Sequence, residues 1–237
     1  MFEMDMSIKK INMGAGYKRY PGYLAIDVDE ACKPDFLVKN NDLTPLPQGH
    51  FNEILAWDVL EHIPHAHTMN ALLDWANLLE VGGVLKIQTS YVYGIIDRMR
   101  SDPGFEIEFN WMRCMFGNQK HPGDFHFNGF TQATLWTYLT AAGFTVPKFT
   151  IEKLWLIGCE AVKTSNWEER VPPSEDAQTF VANAFQEILK RDAKPNELTA
   201  HANALAQLGR KHFLRSLISS PENLFTLGKT WPSEHVK

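Results

Sequence analysis

Two short stretches, Ile11-Asn-Met-Gly-Ala-Gly-Tyr17 and Pro21-Gly-Tyr-Leu-Ala-Ile-Asp27, organise the reading of this 237-residue chain. The first is an apolar run that ends in a Gly-x-Gly loop; the second is an apolar run that ends in an acid. In an open α/β sheet, ligands sit beyond the carboxyl ends of the strands, where glycine lets backbone approach them closely. An acid closing the next strand can accept hydrogen bonds from both hydroxyls of a ribose. The pairing points to a nucleoside-containing cofactor.

A dinucleotide fingerprint would place a third glycine or alanine in the loop and its ribose acid about 20 residues on. Here Arg19 occupies the third glycine position, and Asp27 follows Gly14 after only thirteen residues. The segment 17–22 is too short and too proline-marked for a pyrophosphate-facing helix. A parallel crossover normally takes about a dozen residues or more, so the first helix is expected to be truncated or absent. NAD is disfavoured on both counts.

Outward from these stretches, residues 8–13, 23–28, 36–38 and 53–57 read as four strands. Residues 65–79 carry a helical stripe at Met69, Leu72, Leu73, Ala76 and Leu79, with Gly82-Gly83 expected at its left-handed cap. A fifth strand is expected at 84–89, a helix from Thr131 to Gly143, and terminal strands at 144–151 and 155–162. This order implies a largely parallel sheet with right-handed crossovers. Composition shifts at 164–176, where Pro172-Pro173 marks a linker. Beyond it, Phe180, Ala184, Phe185, Ile188 and Leu189 share a helical face, and Leu198, Leu205, Leu208, Phe213, Leu214, Leu217 and Ile218 mark later helices. The expected division is 1–163, a linker at 164–176 and a helical module at 177–237.

The first motif, together with four further matches in order, resembles the class I S-adenosylmethionine (SAM) dependent methyltransferases, in the subgroup whose first motif runs LNLGCG…PG…NVD. The further matches are Asn41-Asp-Leu-Thr-Pro-Leu-Pro47, Phe51-Asn-Glu-Ile-Leu-Ala-Trp-Asp-Val-Leu-Glu-His-Ile-Pro64, Leu79-Glu-Val-Gly-Gly-Val-Leu-Lys-Ile87 and Gly117-Asn-Gln-Lys-His-Pro-Gly-Asp-Phe-His126. The resemblance implies a Rossmann-like α/β sheet with an antiparallel edge hairpin, SAM as cofactor and methyl transfer as activity. The chain departs from the family pattern at Ala15, Tyr17, Asn52 and Thr89-Ser-Tyr91, the last beside the expected acceptor pocket. The segment 180–222, with Ile-Leu-Lys-Arg191 and Ser-Ser-Pro-Glu222, resembles a small helical module found beside diverse bacterial catalytic and surface domains. So short a module buries little surface alone, and it is expected to pack on the first domain or to pair between subunits.

Carried over residue by residue, the resemblance places Gly14, Ala15 and Gly16 at the methionyl end of SAM and Asp27, with Val28 beside it, at the ribose. Asp42 would accept from the adenine amino group while Leu43 covers the ring; Asp42 also reads as an Asn-Asp turn before Pro45. Trp57 and Asp58 close the fourth strand beside the expected sulfonium. His62, His121 and His126 are the candidate catalytic bases, because imidazole titrates near neutrality. Arg113, Gln119 and Asp124 are candidate acceptor-binding residues, with Arg113 a fork for a carboxylate or phosphate. The cluster at 121–126, with His65 and His67, lacks the tight spacing of a zinc site, and no metal is expected.

Composition bounds these readings. Hydrophobic residues make up 44% of the chain and aromatics 12%, ordinary for a globular core. A net charge of −5 argues against a nucleic-acid footprint. Three widely spaced cysteines suggest neither a disulfide framework nor a zinc ribbon. With no signal-peptide pattern and no bilayer-length apolar run, a cytoplasmic location and no membrane partner are expected. The function expected is SAM-dependent methyl transfer to a small-molecule or glycan-type acceptor, at oxygen or nitrogen. One rival is a non-catalytic methyltransferase-like scaffold that docks a protein partner, or a second copy, through the helical tail. The other is a methyltransferase acting on protein or nucleic acid.

Overall fold

The computed structural model describes residues 5–146 and 148–232. Its core is one eight-stranded sheet: β1 (Lys10–Met13), β2 (Tyr23–Asp27), β3 (Phe36–Leu37), β4 (Phe51–Trp57), β5 (Leu79–Ser90), β6 (Phe144–Thr145), β7 (Phe149–Glu152) and β8 (Leu156–Lys163). The spatial order is β3-β2-β1-β4-β5-β8-β6, with β7 also paired to β8. Strands β3 to β5 of that order run parallel, and β8 pairs antiparallel with β5, β6 and β7. This is the Rossmann-like α/β sheet with an antiparallel edge. The expected strand at 144–151 is divided into β6 and β7, which pair with successive parts of β8.

No α-helix joins β1 to β2, and only a 3-10 turn, Glu30–Cys32, lies between β2 and β3. Right-handed crossovers would have laid those helices on one face of the sheet. That face instead carries alternating polar side chains. Tyr23 hydrogen-bonds Glu53, Lys86 pairs with Glu53 at 3.0 Å and with Glu160 at 4.0 Å, and Lys10 stands 3.8 Å from Glu53. A parallel sheet normally hides both faces under helices; here a charge-paired surface replaces one layer.

The other face is apolar and covered. Helix α1 (His65–Leu78) buries Met69, Leu72, Leu73 and Ala76, the stripe read from the sequence. The Met69, Leu72 and Leu73 side chains each contribute about 1.5–3 kcal/mol on burial. The glycine pair does not cap this helix. Leu79 already has extended backbone, and β5 begins there. Phe51 opposes Leu79 and Glu53 opposes Val84, so residues 80–83 bulge opposite Asn52 with Gly82 at φ 91°. The positive φ marks a bulge rather than a helix end.

Helices α2 (Val92–Ser101) and α3 (Phe105–Phe116) follow β5, and α4 (Gln132–Ala141) begins at a Thr131–Thr134 capping box. Beyond residue 176, α5 (Ala177–Ala184) runs into a π-turn at Phe185–Leu189. Helix α6 (Pro195–Ile218) breaks at Gly209, and α7 (Pro221–Gly228) packs on α4. Phe180, Phe185, Phe213 and Leu214 belong to the same buried cluster as the sheet residues Ile11, Ile54 and Leu85. Trp167, fully buried, donates its indole N–H to the Leu73 carbonyl of α1. Arg191 forks onto Glu197 and Glu222, so the turn after α5 is tied to the first turns of α6 and α7.

Candidate functional site

The loop after β1 is fixed by its own backbone. Gly14 has φ 59°, and a Cβ there would stand 2.6 Å from a methyl of Val59. Glycine is therefore required twice, by conformation and by contact. The Ala15 amide donates to the Ile26 carbonyl at 2.9 Å, and the Gly16 amide to the Asp27 carboxylate at 2.7 Å. The second Asp27 oxygen accepts from the Asp29 amide at 2.9 Å. Arg19, at the third glycine position of a dinucleotide fingerprint, donates to the carbonyls of Gly16, Lys18, Cys32 and Lys33 and staples the loop shut.

These bonds set Asp27 in the wall of a cavity of about 400 Å³. Gly14, Asp27 and Val28 line it from the first two strands, Asn41 and Leu43 from the turn after β3, and Val59 and His62 from the turn after β4. One side of α1 completes it with His67, Asn70 and Asp74. Ala15, Gly16, Asp42 and Trp57 are not in this wall. Asp42 takes the Thr44 amide and hydroxyl at 2.9 and 2.7 Å, which hold its carboxyl below the usual range. It is the cap of its own turn. Trp57, 43% exposed, lies edge-on to Tyr20.

A second cavity, of about 370 Å³, opens on the other side of the β4 turn. Asp58, Glu61 and Ser90 contribute from strand ends, Asn110 and Arg113 from α3, and His126 from the loop beyond. Asp58 has left-handed backbone at φ 56°, and its amide donates to the Gln88 carbonyl. Non-glycine residues in this region store strain that clusters at functional sites. A chamber of about 460 Å³ alongside shares Arg113 and Asn118 and is bounded by Phe109, Met112, Phe116 and Gln119.

His62 and His126 meet edge to face, with ring centroids 4.7 Å apart. His62 Nδ1 lies 3.0 Å from the Phe125 carbonyl, and His126 Nδ1 2.9 Å from the Cys114 carbonyl. A carbonyl oxygen only accepts, so both Nδ1 atoms carry the proton, and in the neutral form of either ring Nε2 is the acceptor. Burial, then the neighbouring His62, holds the His126 imidazole below its ordinary value. Glu61, 1% exposed, accepts from the Thr89 hydroxyl at 2.8 Å, and burial pushes its carboxyl up to about 7.

The 117–126 loop holds itself. Asp124 accepts from the Lys120 amide and the Asn118 side chain, both at 3.3 Å, and Gln119 donates to the Phe116 carbonyl. Asp124 is thus a loop residue outside the cavity walls, as is the exposed His121. The structure brings His62, His126, Arg113 and Asp58 together. Ser90, in the segment 89–91 expected beside the acceptor pocket, joins them, and the structure adds Glu61, Asn110 and Trp155, which sequence reasoning does not single out for this role. For Glu61 the signal is present: a carboxylate flanked by Val59, Leu60 and Ile63 in a strand-end turn. Among the described residues there is no group of three or more His, Cys, Asp or Glu able to hold a metal ion, and no helix long and apolar enough to cross a membrane.

No protein-family model matches the chain, and no curated protein does. Several solved structures are similar to it. A 1,6-didemethyltoxoflavin-N1-methyltransferase of Burkholderia thailandensis, with 1,6-didemethyltoxoflavin and S-adenosylhomocysteine bound, is 17% identical; the match covers 66% of this chain and 71% of that one at a TM-score of 0.45. A SAM-dependent methyltransferase of Methanosarcina mazei is 16% identical, covering 65% and 92%, with a TM-score of 0.49. A possible histamine N-methyltransferase of Thermotoga maritima is 13% identical, covering 66% and 82%, with a TM-score of 0.46.

Proposed function

We propose that this chain is a SAM-dependent methyltransferase acting on a small-molecule or glycan-type acceptor at oxygen or nitrogen. The observation that carries this reading is the His62–His126 contact, because one ring lines the cavity at the glycine loop and Asp27 while the other lines the second cavity. A donor pocket and an acceptor pocket thus meet at two imidazoles. The first cavity fits the cofactor in kind: an acid with lone pairs to spare, backbone that approaches closely at Gly14, and apolar Leu43 and Val59 for a flat ring.

When bound, SAM supplies an electrophilic methyl group on a sulfonium. Asp27 holds the ribose and the Gly14 loop the methionyl end. Arg113, Asn110 and Asn118 orient the acceptor, and Trp155 closes the wall. Displacement at the methyl carbon requires the reacting atoms in line at about 3–3.5 Å with water excluded. His126 Nε2 receives the acceptor's proton; its lowered pKa favours the unprotonated ring, whose Nε2 lone pair is free to accept. Most of the large apolar side chains beyond 176, among them Phe180, Phe185, Phe213 and Leu214, lie in the shared core, while Leu208 and Phe225 stand exposed.

Calorimetric titration of S-adenosylhomocysteine and SAM into the wild type and Asp27→Ala tests the cofactor. Binding on the order of 1 μM in the wild type, weakened at least about tenfold in the variant, is expected. Acceptor classes are then screened by methyl transfer. A folded chain that binds neither nucleoside overturns the reading.

A further inference from the structure

We propose that the methyl acceptor is an acid with an apolar tail, and that the tail lies along the exposed face of α3; this rests on the methyl-transfer reading above and names its substrate class. Helix α3 carries four large apolar side chains, Phe105, Phe109, Met112 and Phe116, at successive spacings of four, three and four residues. Those spacings put all four on one face of the helix, a stripe that a surface helix normally turns to the core. Here α3 buries no residue, and the four stand between 42% and 86% exposed. Phe105 and Phe109 stack on each other, with ring centroids 5.8 Å apart and planes 16° from parallel. Contiguous apolar surface left open to water marks a site of interaction.

What covers the stripe follows from where it leads. Phe109, Met112 and Phe116 wall the chamber of about 460 Å³, and that chamber shares Arg113 and Asn118 with the second cavity, where His126 stands. A molecule seated against these two residues has the cavity of His126 on one side and apolar side chains on the other. Small-molecule sites have this character, apolar walls with a few placed polar groups. The charge fits as well. Arg113 donates through Nε and Nη2 to the Asn118 Oδ1, and Asn118 donates in turn to Asp124 at 3.3 Å, so the guanidinium is held in place. Among the described residues neither Arg113 nor Lys120, which also lines the chamber, forms an ion pair. Two cations without carboxylate partners beside an apolar wall suit an anionic group on an apolar body. Asp58 and Glu61 line the second cavity but not the chamber, so the anion belongs at Arg113 and the hydroxyl or amine to be methylated lies beyond it. A glycan, polar over its whole surface, would leave the stripe uncovered.

The test is calorimetry of butyrate, decanoate and decyltrimethylammonium into the full chain saturated with S-adenosylhomocysteine. It compares the wild type, a Phe109→Ser/Met112→Ser double variant and Arg113→Met. Each fully buried methylene strengthens binding about fourfold. In an open chamber decanoate is expected to bind at least about tenfold tighter than butyrate, and tighter than the cation with the same tail. In the double variant, whose replaced side chains are exposed and so not needed for folding, the two acids should fall within about threefold. Arg113→Met should weaken both acids at least about fivefold and leave their ratio unchanged. A decanoate advantage that is absent from the wild type or survives in the double variant overturns the assignment, as does tighter binding of the cation or displacement of S-adenosylhomocysteine by decanoate. So does a wild-type dimer in sedimentation that the double variant dissociates, because a second copy would then cover the stripe. A wild type that keeps the chain-length effect but does not bind S-adenosylhomocysteine would instead remove the methyl-transfer reading beneath it.

Discussion

The two cavities on either side of the β4 turn are built in different ways. The one at the glycine loop takes its walls from strand ends and from one helix face, and short-range backbone bonds hold it. Ala15 to Ile26, Gly16 to Asp27 and Asp29 to Asp27 all close within about a dozen residues. The other is assembled from β4, β5, α3, the loop beyond and the turn before β8. Its defining bonds join distant residues, Thr89 to Glu61, His62 to Phe125 and Phe127 to the Glu61 carbonyl. Its outer wall is α3, which buries no residue and leaves Phe105 86% exposed. A locally determined pocket suits an invariant ligand, and a long-range pocket with a thinly packed wall suits a variable one.

That contrast can be broken most directly at Gly14. Gly14→Val adds a side chain in a left-handed conformation against Val59, so binding of S-adenosylhomocysteine should be lost, with about 2–4 kcal/mol of stability. Calorimetry and chemical denaturation read both; unchanged affinity would mean that the loop does not shape the first pocket. His126→Gln addresses the other side. Methyl transfer should fall by roughly 10²–10⁴ while nucleoside affinity changes little. Equal losses in rate and cofactor affinity would show that the two pockets are not separable.

Glu61 sharpens the comparison through pH. Its folded pKa, about 7, lies above the ordinary carboxyl value of 4.5. Its contribution to stability is fully present below the unfolded value and is lost as pH rises through 7, an effect of about 3 kcal/mol. His126, with its lowered pKa, works the other way: its contribution is present above its ordinary value and lost as pH falls. Glu61→Gln should therefore flatten the decline in unfolding free energy between pH 5 and 8 and leave the acid side unchanged. A difference between the wild-type and Glu61→Gln curves that stays constant over that range would refute the burial of an ionisable Glu61.

The smallest effect is expected at Arg215→Met, which frees the Asp74 carboxylate at the edge of the first pocket. The pair is partly exposed, so the loss should be under about 1 kcal/mol in thermal unfolding. A much larger loss, or abolished nucleoside binding, would make the helical segment part of the first pocket rather than its backing.

Much of this molecule is legible in its sequence alone. The Gly-x-Gly loop, the acid at Asp27, the missing first helix and the α1 stripe follow from spacing, backbone conformation and side-chain periodicity, all local properties of the chain. The glycine pair at 82–83 misleads because a positive φ serves a strand bulge as well as a helix end. Sequence position nominates Asp42 for the adenine, and the turn geometry shows one of its carboxylate oxygens, Oδ1, accepting from the Thr44 amide and hydroxyl. Tertiary structure alone decides that the bare sheet face is charge-paired, that Glu61 is buried beside Thr89, and that His62 and His126 meet. Those outcomes depend on segments brought together by the burial of a common core, and burial and contact between distant side chains are set by the packing of the whole chain.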